Sequence, residues 1–207
     1  MKNVLIFGSS RAGKTTLSRR ICQDLGYNIT GTNFYVSSLI QVYPQLGIKG
    51  FSEIESVEDY KDTINAVTPF LAHSFCSLAR NSYALNEMNF VSDIELCSID
   101  MFMSLLDKLL LPVGLKKEDI FFFVGLVNEV TREELFANIK KYDTEHDWTK
   151  NSTDDELRQF CELHNKDAEG IKWLRESFER HKFNIYDTSG ERQKIFCNII
   201  QDIKAAN

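Results

Sequence analysis

An eight-residue segment near the start of the chain matches the pattern G-x-x-x-x-G-K-[ST] at every position. The segment is Gly8-Ser-Ser-Arg-Ala-Gly-Lys-Thr15, and it lies between a short apolar run and an amphipathic helical pattern. Glycines in such a loop let the backbone N–H groups converge on phosphate oxygens, and the N-terminus of the following helix adds partial positive charge. The motif therefore predicts a strand–loop–helix unit that binds phosphate.

The residue types of this loop predict ATP with Mg²⁺ as the ligand. We expect the Lys14 ammonium to reach the β- and γ-phosphates and the Thr15 hydroxyl to coordinate Mg²⁺. The residues expected to contact the nucleotide are Gly8, Ser9, Ser10, Arg11, Ala12, Gly13, Lys14, Thr15 and Thr16. Arg19 and Arg20 follow closely, and this local excess of cations in an acidic chain indicates a small anionic ligand.

Length and composition argue against several classes of protein. A chain of 207 residues suits one domain, with or without an inserted lid. A net charge of −6 without a dense Lys/Arg run argues against a nucleic-acid partner. The sequence has no apolar run long enough for a membrane span, and its first apolar run is too short for a signal peptide, which predicts a cytoplasmic protein. The five scattered cysteines are expected to be reduced core residues. The sequence does not indicate an oligomeric state.

Apolar runs that predict strands alternate with helical patterns along the chain. The predicted strands are Val4–Phe7, Tyr27–Thr30, Asn89–Asp93, Ile120–Val127 and Phe183–Tyr186. The predicted helices are Thr15–Asp24, most of residues 34–87 with a break near Pro44–Gly50, Met101–Leu111, Thr131–Lys141, Asp154–Arg180 and Gly190–Lys204. This alternation predicts an α/β fold with a parallel sheet covered on both faces, in which ligands bind at the carboxyl ends of the strands.

With Gly8–Thr16 so close to the start of a short chain, the sequence resembles the small P-loop kinases of the nucleoside and nucleotide kinase group. Beyond this loop the resemblance lies in layout alone. It implies one domain over residues 1–207, with a three-layer P-loop NTPase fold in which helices flank a five-stranded parallel sheet. It also implies an acceptor-binding region at about 34–87 and a helical lid at about 142–165.

Two later segments are similar to small-GTPase motifs, but their order argues against that family. Asp187–Arg192 is similar to a D-x-x-G switch motif, and Asn165–Asp167 is similar to a guanine-reading motif. In small GTPases the switch motif precedes the guanine motif, whereas here it follows. The residues after Arg192 are also too few for the strands and the base-reading loop that would still be required. Thr188 and Glu191 instead predict a capping box that opens the last helix. In the kinase group the loop after the fifth strand lies beside the adenine. The resemblance therefore places Asp187 and Ser189 at the base.

A carboxylate is expected near the metal or the acceptor. Asp93 ends the predicted third strand, where the resemblance implies an acidic residue, and Glu95 lies two residues on. Asp93 is expected either to hold Mg²⁺ through water or to accept the proton of an acceptor hydroxyl. The predicted catalytic residues are therefore Lys14 and Asp93, and the predicted metal-binding residues are Thr15 and Asp93.

The lid is expected to supply cations that neutralise charge on the transferred phosphoryl group. The candidates are Arg132, Lys140, Lys141, Lys150 and Arg158. The segment Tyr142–Asp155 departs from the family pattern of paired arginines because it is acidic and polar. Trp148 is a candidate to cover the site or to anchor the loop.

The acceptor region contains few cations. Residues 34–87 include Lys49, Lys61 and Arg80 against six acidic residues, whereas a phosphate acceptor is normally held by paired arginines. This balance favours a hydroxyl acceptor. Four aromatic residues are candidates for a stacking pocket or for the core: Phe34, Tyr35, Tyr43 and Phe51. The sequence thus predicts an ATP-dependent kinase acting on a nucleoside, nucleotide or other small metabolite. A non-kinase P-loop ATPase or GTPase, or a nucleotide-binding module, is the alternative.

Overall fold

A computed structural model describes residues 1–49, 53–54, 56–85, 89–142, 148–164 and 168–207. Its centre is a five-stranded sheet with the order β2-β3-β1-β4-β5, and every neighbouring pair is parallel. The strands are β1 Asn3–Gly8, β2 Asn28–Ile29, β3 Phe90–Asp93, β4 Phe121–Val127 and β5 Asn184–Asp187. The predicted α/β fold with five parallel strands is confirmed.

The described residues contain nine α-helices around this sheet. They are α1 Lys14–Leu25, α2 Thr32–Val42, α3 Val57–Leu85, α4 Ile99–Leu110, α5 Lys117–Ile120, α6 Arg132–Tyr142, α7 Asp154–His164, α8 Ala168–Arg180 and α9 Arg192–Ala205. Helices α7 and α8 agree with the prediction that Asp154–Arg180 is helical, and residues 165–167 between them lie outside the described residues. None of the helices in the described ranges is both long and apolar enough to cross a membrane.

Side chains that alternate along the strands divide the core into two clusters, one on each face of the sheet. On one face, Leu5 and Phe7 of β1 pack with residues of α3, α4 and α8. On the other face, Val4 and Ile6 pack with residues of α1 and α9, including Leu17. The sheet is thus covered on both sides, as expected for parallel strands.

A third, smaller cluster joins α6 to α7 outside the main core. Its buried members are Leu135, Ile139, Leu157 and Cys161. Each of the two helices begins with a capping box, formed by Thr131 with Glu134 and by Thr153 with Glu156. The backbone N–H of each threonine donates to the glutamate, at 2.8 and 2.7 Å respectively. These bonds lower the pKa of both glutamates. The α6–α7 unit therefore has its own caps and its own apolar contacts.

The capping box predicted at Thr188 and Glu191 is wrong. The Thr188 hydroxyl is buried and donates to the carbonyl oxygen of Val127 at 3.1 Å, and its backbone N–H donates to the same oxygen at 2.8 Å. Helix α9 begins at Arg192, and Glu191 precedes it without a side-chain cap. Thr188 therefore extends the pairing of β5 with β4 instead of capping the helix.

Gly125 in the middle of β4 provides a test of the packing between the sheet and α8. A Cβ atom at this position would lie 2.7 Å from Cδ2 of the fully buried Phe178 ring. We expect Gly125→Ala to lower the free energy of unfolding by about 1–3 kcal/mol, because an overpacked core must shift to accept the methyl group. Chemical denaturation measures this change.

The matched control is Gly190→Ala. A Cβ atom there would have no neighbour within 4 Å, so the free energy of unfolding should stay within about 0.5 kcal/mol of the unmodified protein. Equal stability of the two variants would contradict the close packing of α8 on β4.

Candidate active site

The loop between β1 and α1 depends on both glycines of the motif. A Cβ atom at Gly8 would collide with the carbonyl oxygen of Leu126 on β4. Gly13 has a φ of 90°, and a Cβ atom there would lie 2.9 Å from Cζ of Phe196. Arg11 between them is also left-handed, with a φ of 61°. The loop therefore packs closely against β4 and α9, and its left-handed residues direct the chain into α1.

The N-terminus of α1 has the features of an anion site. Its N-cap is Gly13, which has no side chain to accept a hydrogen bond, and the first turn contains no acidic residue. The first N–H groups of a helix have no partner within the helix, and they carry part of the positive end of its dipole. An anion held by the loop would therefore meet backbone donors without displacing a side-chain cap.

Lys14 is held within the loop. Its side chain is only 6% exposed, and Nζ donates to the carbonyl oxygens of Gly8 at 3.2 Å and Ser9 at 3.1 Å. Nζ also lies 3.3 Å from Oε1 of Glu95. These contacts use the three donors of the ammonium group and fix a buried positive charge at the loop. Phosphate oxygens could replace these partners.

Thr15 and Asp93 meet across the gap between α1 and β3. The Thr15 hydroxyl donates to Oδ2 of Asp93 at 2.6 Å. Asp93 pairs in register with Ile6 of β1, and it lies two residues after Val91, which packs in the α1 cluster. Strand alternation therefore directs Asp93 toward α1. This contact was not predicted, although both residues were named as site residues.

The Thr15–Asp93 pair is suited to Mg²⁺. The metal prefers oxygen ligands and is usually held by one or two carboxylates together with waters and phosphate oxygens. In the part of the chain that the structure describes, no group of three or more His, Cys, Asp or Glu side chains could hold a metal by itself. The pair could therefore hold Mg²⁺ that arrives with a bound phosphate, with Thr15 as a direct ligand.

Thr32 holds the turn that follows β3. Its buried hydroxyl donates to the carbonyl oxygen of Asp93 at 3.0 Å and accepts from the backbone N–H of Glu95 at 3.2 Å. This bracing fixes the backbone on which both carboxylates lie. The sequence analysis missed Thr32, because its partners are more than sixty residues away in the chain and no local pattern marks them.

Tyr60 of α3 lies close to Glu95. Burial raises the pKa of the Tyr60 hydroxyl, and the negative charges of Glu95 and Cys97 raise it further. Burial also raises the pKa of Cys97 to about 12, against a smaller opposing effect of its hydrogen bond with Thr68. Near neutral pH, Tyr60 is thus a hydrogen-bond donor and Cys97 is an unreactive thiol. Tyr60 thus places α3, which lies in the predicted acceptor region, on the Glu95 side of the loop.

Asp187 is the last residue of β5 and Ser189 lies in the turn that follows, and both are exposed at the same edge of the sheet. The Asp187 carboxylate accepts from the backbone N–H of Ser189 at 2.9 Å and from its hydroxyl at 3.0 Å. Arg192, at the start of α9, donates to the carbonyl oxygen of Arg11 at 3.3 Å and so joins this turn to the loop. The role of the two residues at a base stays a prediction.

Two of the predicted lid cations have partners within the α6–α7 unit. Lys140 forms an ion pair with Asp154, and the guanidinium of Arg158 lies 4.5 Å from the centre of the Phe136 ring. Arg132 and Lys150 are exposed, and Lys141 is also exposed. Residues 143–147, the Trp148 side chain, the Asn165–Asp167 segment and Phe51 lie outside the described residues.

The contact between the loop and the α6–α7 unit comes instead from Arg11. Its guanidinium donates to the hydroxyl of the buried Thr149 at 3.1 Å. Thr149 lies in the turn of 3₁₀-helix Trp148–Asn151 that precedes α7. The predicted lid thus touches the phosphate loop through a loop residue, whereas the sequence analysis expected lid cations at this junction.

Comparison with solved structures identifies the class of fold. The unliganded structure of a sugar kinase from Janibacter sp. HTCC2649 is 13% identical to this chain, with a TM-score of 0.53 and coverage of 99% of this chain and 95% of that chain. A protein from Chloroflexus aurantiacus described as a kinase is 11% identical, with a TM-score of 0.52 and coverage of 100% of this chain and 98% of that chain. No protein-family model and no curated protein matches the chain. The chain therefore shares the fold of these two proteins, an α/β fold with helices on both faces of a five-stranded parallel sheet, as predicted.

The Asp93 carboxylate provides a test of the metal site. Asp93→Asn keeps an oxygen that can accept from Thr15 but removes the negative charge. We expect nucleotide affinity in the presence of Mg²⁺ to fall about tenfold or more, as for other groups that support a metal ligand, while affinity in EDTA stays unchanged. Titration of a fluorescent ATP analogue under both conditions measures the difference.

Asp119→Asn is the control for this measurement. Asp119 is an exposed carboxylate on α5, which precedes β4 at the opposite edge of the sheet. Asp119→Asn should change the nucleotide affinity neither with Mg²⁺ nor in EDTA. Equal losses for Asp93→Asn with and without Mg²⁺ would exclude the metal role.

Proposed function

We propose that this protein is an ATP-dependent phosphotransferase that moves the γ-phosphoryl group of ATP to a hydroxyl group of a small molecule. Its strongest support is the convergence of the phosphate loop, Lys14, the Thr15–Asp93 pair and Glu95 at the carboxyl end of the central strand. Phosphoryl transfer needs little covalent chemistry from the protein, because positioning and charge stabilisation supply most of the catalysis.

The donor side of the site consists of the loop and α1. The N–H groups of residues 8–16 and the N-terminus of α1 bind the phosphates, and Lys14 exchanges its present partners for β- and γ-phosphate oxygens. Thr15 and Asp93 are the residues that would hold Mg²⁺, Thr15 as a direct ligand and Asp93 through water. When bound, Mg²⁺ neutralises charge on the β- and γ-phosphates. Asp187 and Ser189 line the base.

The acceptor side favours a neutral hydroxyl compound. Of the three cations in residues 34–87, Lys49 pairs with Asp59 at 2.8 Å, Lys61 is exposed, and Arg80 is exposed on α3. Arg80 also lies about 30 Å along the helix from Tyr60, at roughly 1.5 Å per residue. No pair of arginines is therefore available in this region to hold a phosphate or carboxylate acceptor.

Asp93 at the end of β3 and Glu95 just after it have different roles in this proposal. Asp93 contacts Thr15 and supports the metal. Glu95 is therefore the group that takes the proton from the hydroxyl group of the acceptor molecule. The acceptor oxygen forms a bond to the γ-phosphorus while the bond from that phosphorus to the β–γ bridging oxygen breaks, and ADP leaves with the bridging oxygen. The hydroxyl proton moves to Glu95. Because Lys14 turns to the phosphates, the Glu95 carboxylate is released for this step.

The surrounding regions complete the proposal. Residues 34–87 contribute the acceptor site, and the exposed aromatic ring of Phe34 on α2 is available to it, whereas Tyr35 packs against Phe75 of the core. Residues 142–165 form part of a lid that excludes water from the transfer. A net charge of −6 without a dense Lys/Arg run supports a small-molecule partner in place of nucleic acid or a membrane. The sugar kinase neighbour agrees with a hydroxyl acceptor at the level of fold only.

An acceptor screen tests the proposed reaction. The protein is incubated with ATP and Mg²⁺ against separate pools of nucleosides, nucleoside monophosphates and neutral hydroxylated metabolites, and ADP formation is followed. We expect ADP formation that depends on a pool of hydroxyl compounds. Lys14→Ala should reduce this rate about 10²- to 10³-fold or more and weaken ATP binding, because the buried charge that meets the phosphates is lost.

Two other results of the screen would contradict the proposal. ADP formation that needs no acceptor would indicate an ATPase, and ATP binding without ADP formation would indicate a binding module. A much faster reaction with nucleoside monophosphates would contradict the choice of a hydroxyl acceptor.

Glu95→Gln separates the proton acceptor from the metal-binding carboxylate. We expect kcat to fall about 10²- to 10⁴-fold, because the amide cannot accept the proton. Affinity for ATP with Mg²⁺ should be unchanged or tighter, since the variant removes an anion that competes with phosphate for Lys14. Steady-state kinetics and calorimetry measure the two effects. An unchanged kcat, or an effect equal to that of Asp93→Asn on Mg²⁺ dependence, would contradict this division.

A further inference from the structure

Helix α2 has an exposed face without a charged residue. Among the nine α-helices of the described residues, α2 alone contains no Asp, Glu, Lys or Arg, and residues 25–48 around it form the longest segment of the sequence without one. In a chain with 26% charged residues, the exposed face of a helix is normally the place where charges lie. The composition of this segment is therefore typical of a surface that another molecule covers.

Large apolar side chains are exposed along α2 and the turn that follows it. Phe34 is 72% exposed and Val42 is 64% exposed, and Tyr43 and Leu46 are half-exposed. An aromatic side chain has about 150–250 Å² of surface in full, so these four side chains expose on the order of 400 Å². An exposed apolar patch of about 300–600 Å² is the largest on a typical monomer and is often functional. We call these four side chains, with the polar residues of α2 between them, the α2 surface.

The other face of α2 is firmly packed. Val36 and Leu39 are buried in the main core cluster, and the centre of the Tyr35 ring lies 5.7 Å from that of Phe75. At the start of the helix, the Thr32 hydroxyl is hydrogen-bonded to the backbone at the end of β3. The α2 surface therefore belongs to a fixed helix, and a partner that binds it loses little free energy to ordering.

Helical spacing places the exposed residues of α2 in one stripe. Phe34, Ser38 and Val42 follow one another at intervals of four residues, which puts them on the same side of the helix. At 1.5 Å per residue, Phe34 and Val42 are roughly 12 Å apart along the helix axis. Ser37 and Gln41 are also exposed and flank this line on one side. The stripe thus has an apolar side chain at each end and small or amide side chains between.

We propose that the α2 surface is the interface of a symmetric dimer of this chain. A two-fold axis beside Ser38 that sets the two helices antiparallel brings Phe34 of each copy to Val42 of the other, so that the surface matches itself. The small Ser38 side chain allows the helices to approach closely. On the flank of the stripe, Gln41 of each copy lies near Ser37 of the other, and both side chains have a donor and an acceptor.

Charge and area favour a second copy over other occupants. With a net charge of −6, two copies repel each other unless they meet through a surface without charge. A membrane site would combine apolar side chains with basic residues, and residues 25–48 contain no basic residue. An interface of standard size buries about 800 Å² on each partner, a little more than half of it apolar, which agrees with the area that the α2 surface exposes.

This interface borders the candidate active site, but the inference does not rest on the proposed reaction. Phe34 follows Thr32 by two residues, and Thr32 fixes the backbone that carries Asp93 and Glu95. The Phe34 end of the α2 surface is therefore next to the acceptor side of the site. Val42, at the other end, belongs to the interface alone and is the position that tests it.

Sedimentation velocity of the full chain tests the dimer. We expect a mass of twice 23.9 kDa at a protein concentration of about 50 µM, since interfaces of standard size have Kd values from micromolar downward. Val42→Glu should weaken self-association about 100-fold or more, because it brings like charges into an apolar interface. Leu111→Glu is the matched control. Leu111 is also a highly exposed apolar residue but lies outside the α2 surface, so this variant should stay dimeric.

Leu46→Glu separates loss of the interface from damage to the helix. Leu46 lies in the 3₁₀ turn after α2, and this variant should weaken self-association as Val42→Glu does. Far-UV circular dichroism should be unchanged in both variants, because both side chains are exposed. A monomer at about 50 µM, or a dimer that neither variant weakens, would overturn the proposal. Binding of the monomer to phosphatidylcholine vesicles that is lost in Val42→Glu would also overturn it, since the α2 surface would then be a membrane site.

Discussion

The pairing of β1 with both of its neighbours is the constraint on which the site depends. β1 is paired with β4 along its whole length, from Asn3 to Gly8, and with β3 from Val4 to Ile6. Because all three strands are parallel, their carboxyl ends meet at one edge. The register brings Asp93 to Thr15 on one side of the loop. Gly8 must be a glycine because this pairing leaves no space for a Cβ atom.

The charged groups of the ligand-free site satisfy one another. Lys14 contacts Glu95 and two loop carbonyls, and Thr15 donates to Asp93. A partly exposed ion pair contributes little to stability, so exchanging Glu95 for a triphosphate with several negative charges favours binding. The proposed catalytic carboxylate is thus paired with the lysine that we propose to bind the nucleotide. The proposed function therefore links nucleotide binding to release of the proton acceptor through one ammonium group.

The sequence allowed the loop and the sheet to be predicted because both have local signatures. The motif at residues 8–15 defines the strand–loop–helix unit, and apolar runs mark five strands whose parallel arrangement the structure confirms. Capping shows where local patterns fail. Thr131–Glu134 and Thr188–Glu191 have the same spacing, yet only the first forms a capping box. Thr188 follows β5, and its hydroxyl donates to the carbonyl oxygen of Val127, which is distant in sequence. Thr32 was missed for the same reason, because its partners at the end of β3 lie next to it only in the folded chain.

The α6–α7 unit is attached to the rest of the protein in a way that suits movement. Its apolar contacts form a separate cluster, and its helices carry their own caps, so the unit keeps its internal contacts if it shifts as a body. A hydrogen bond from Arg11 to Thr149 and an ion pair between Glu129 and Arg175 help to hold it to the loop and to α8. The Glu129–Arg175 ion pair is exposed, and an exposed ion pair contributes little to stability. Arg11 is itself a residue of the phosphate loop, in a left-handed conformation between the two glycines. In the proposed function, phosphate binding at the loop would act directly on a residue that holds the proposed lid, which gives a physical route from nucleotide binding to closure over the acceptor.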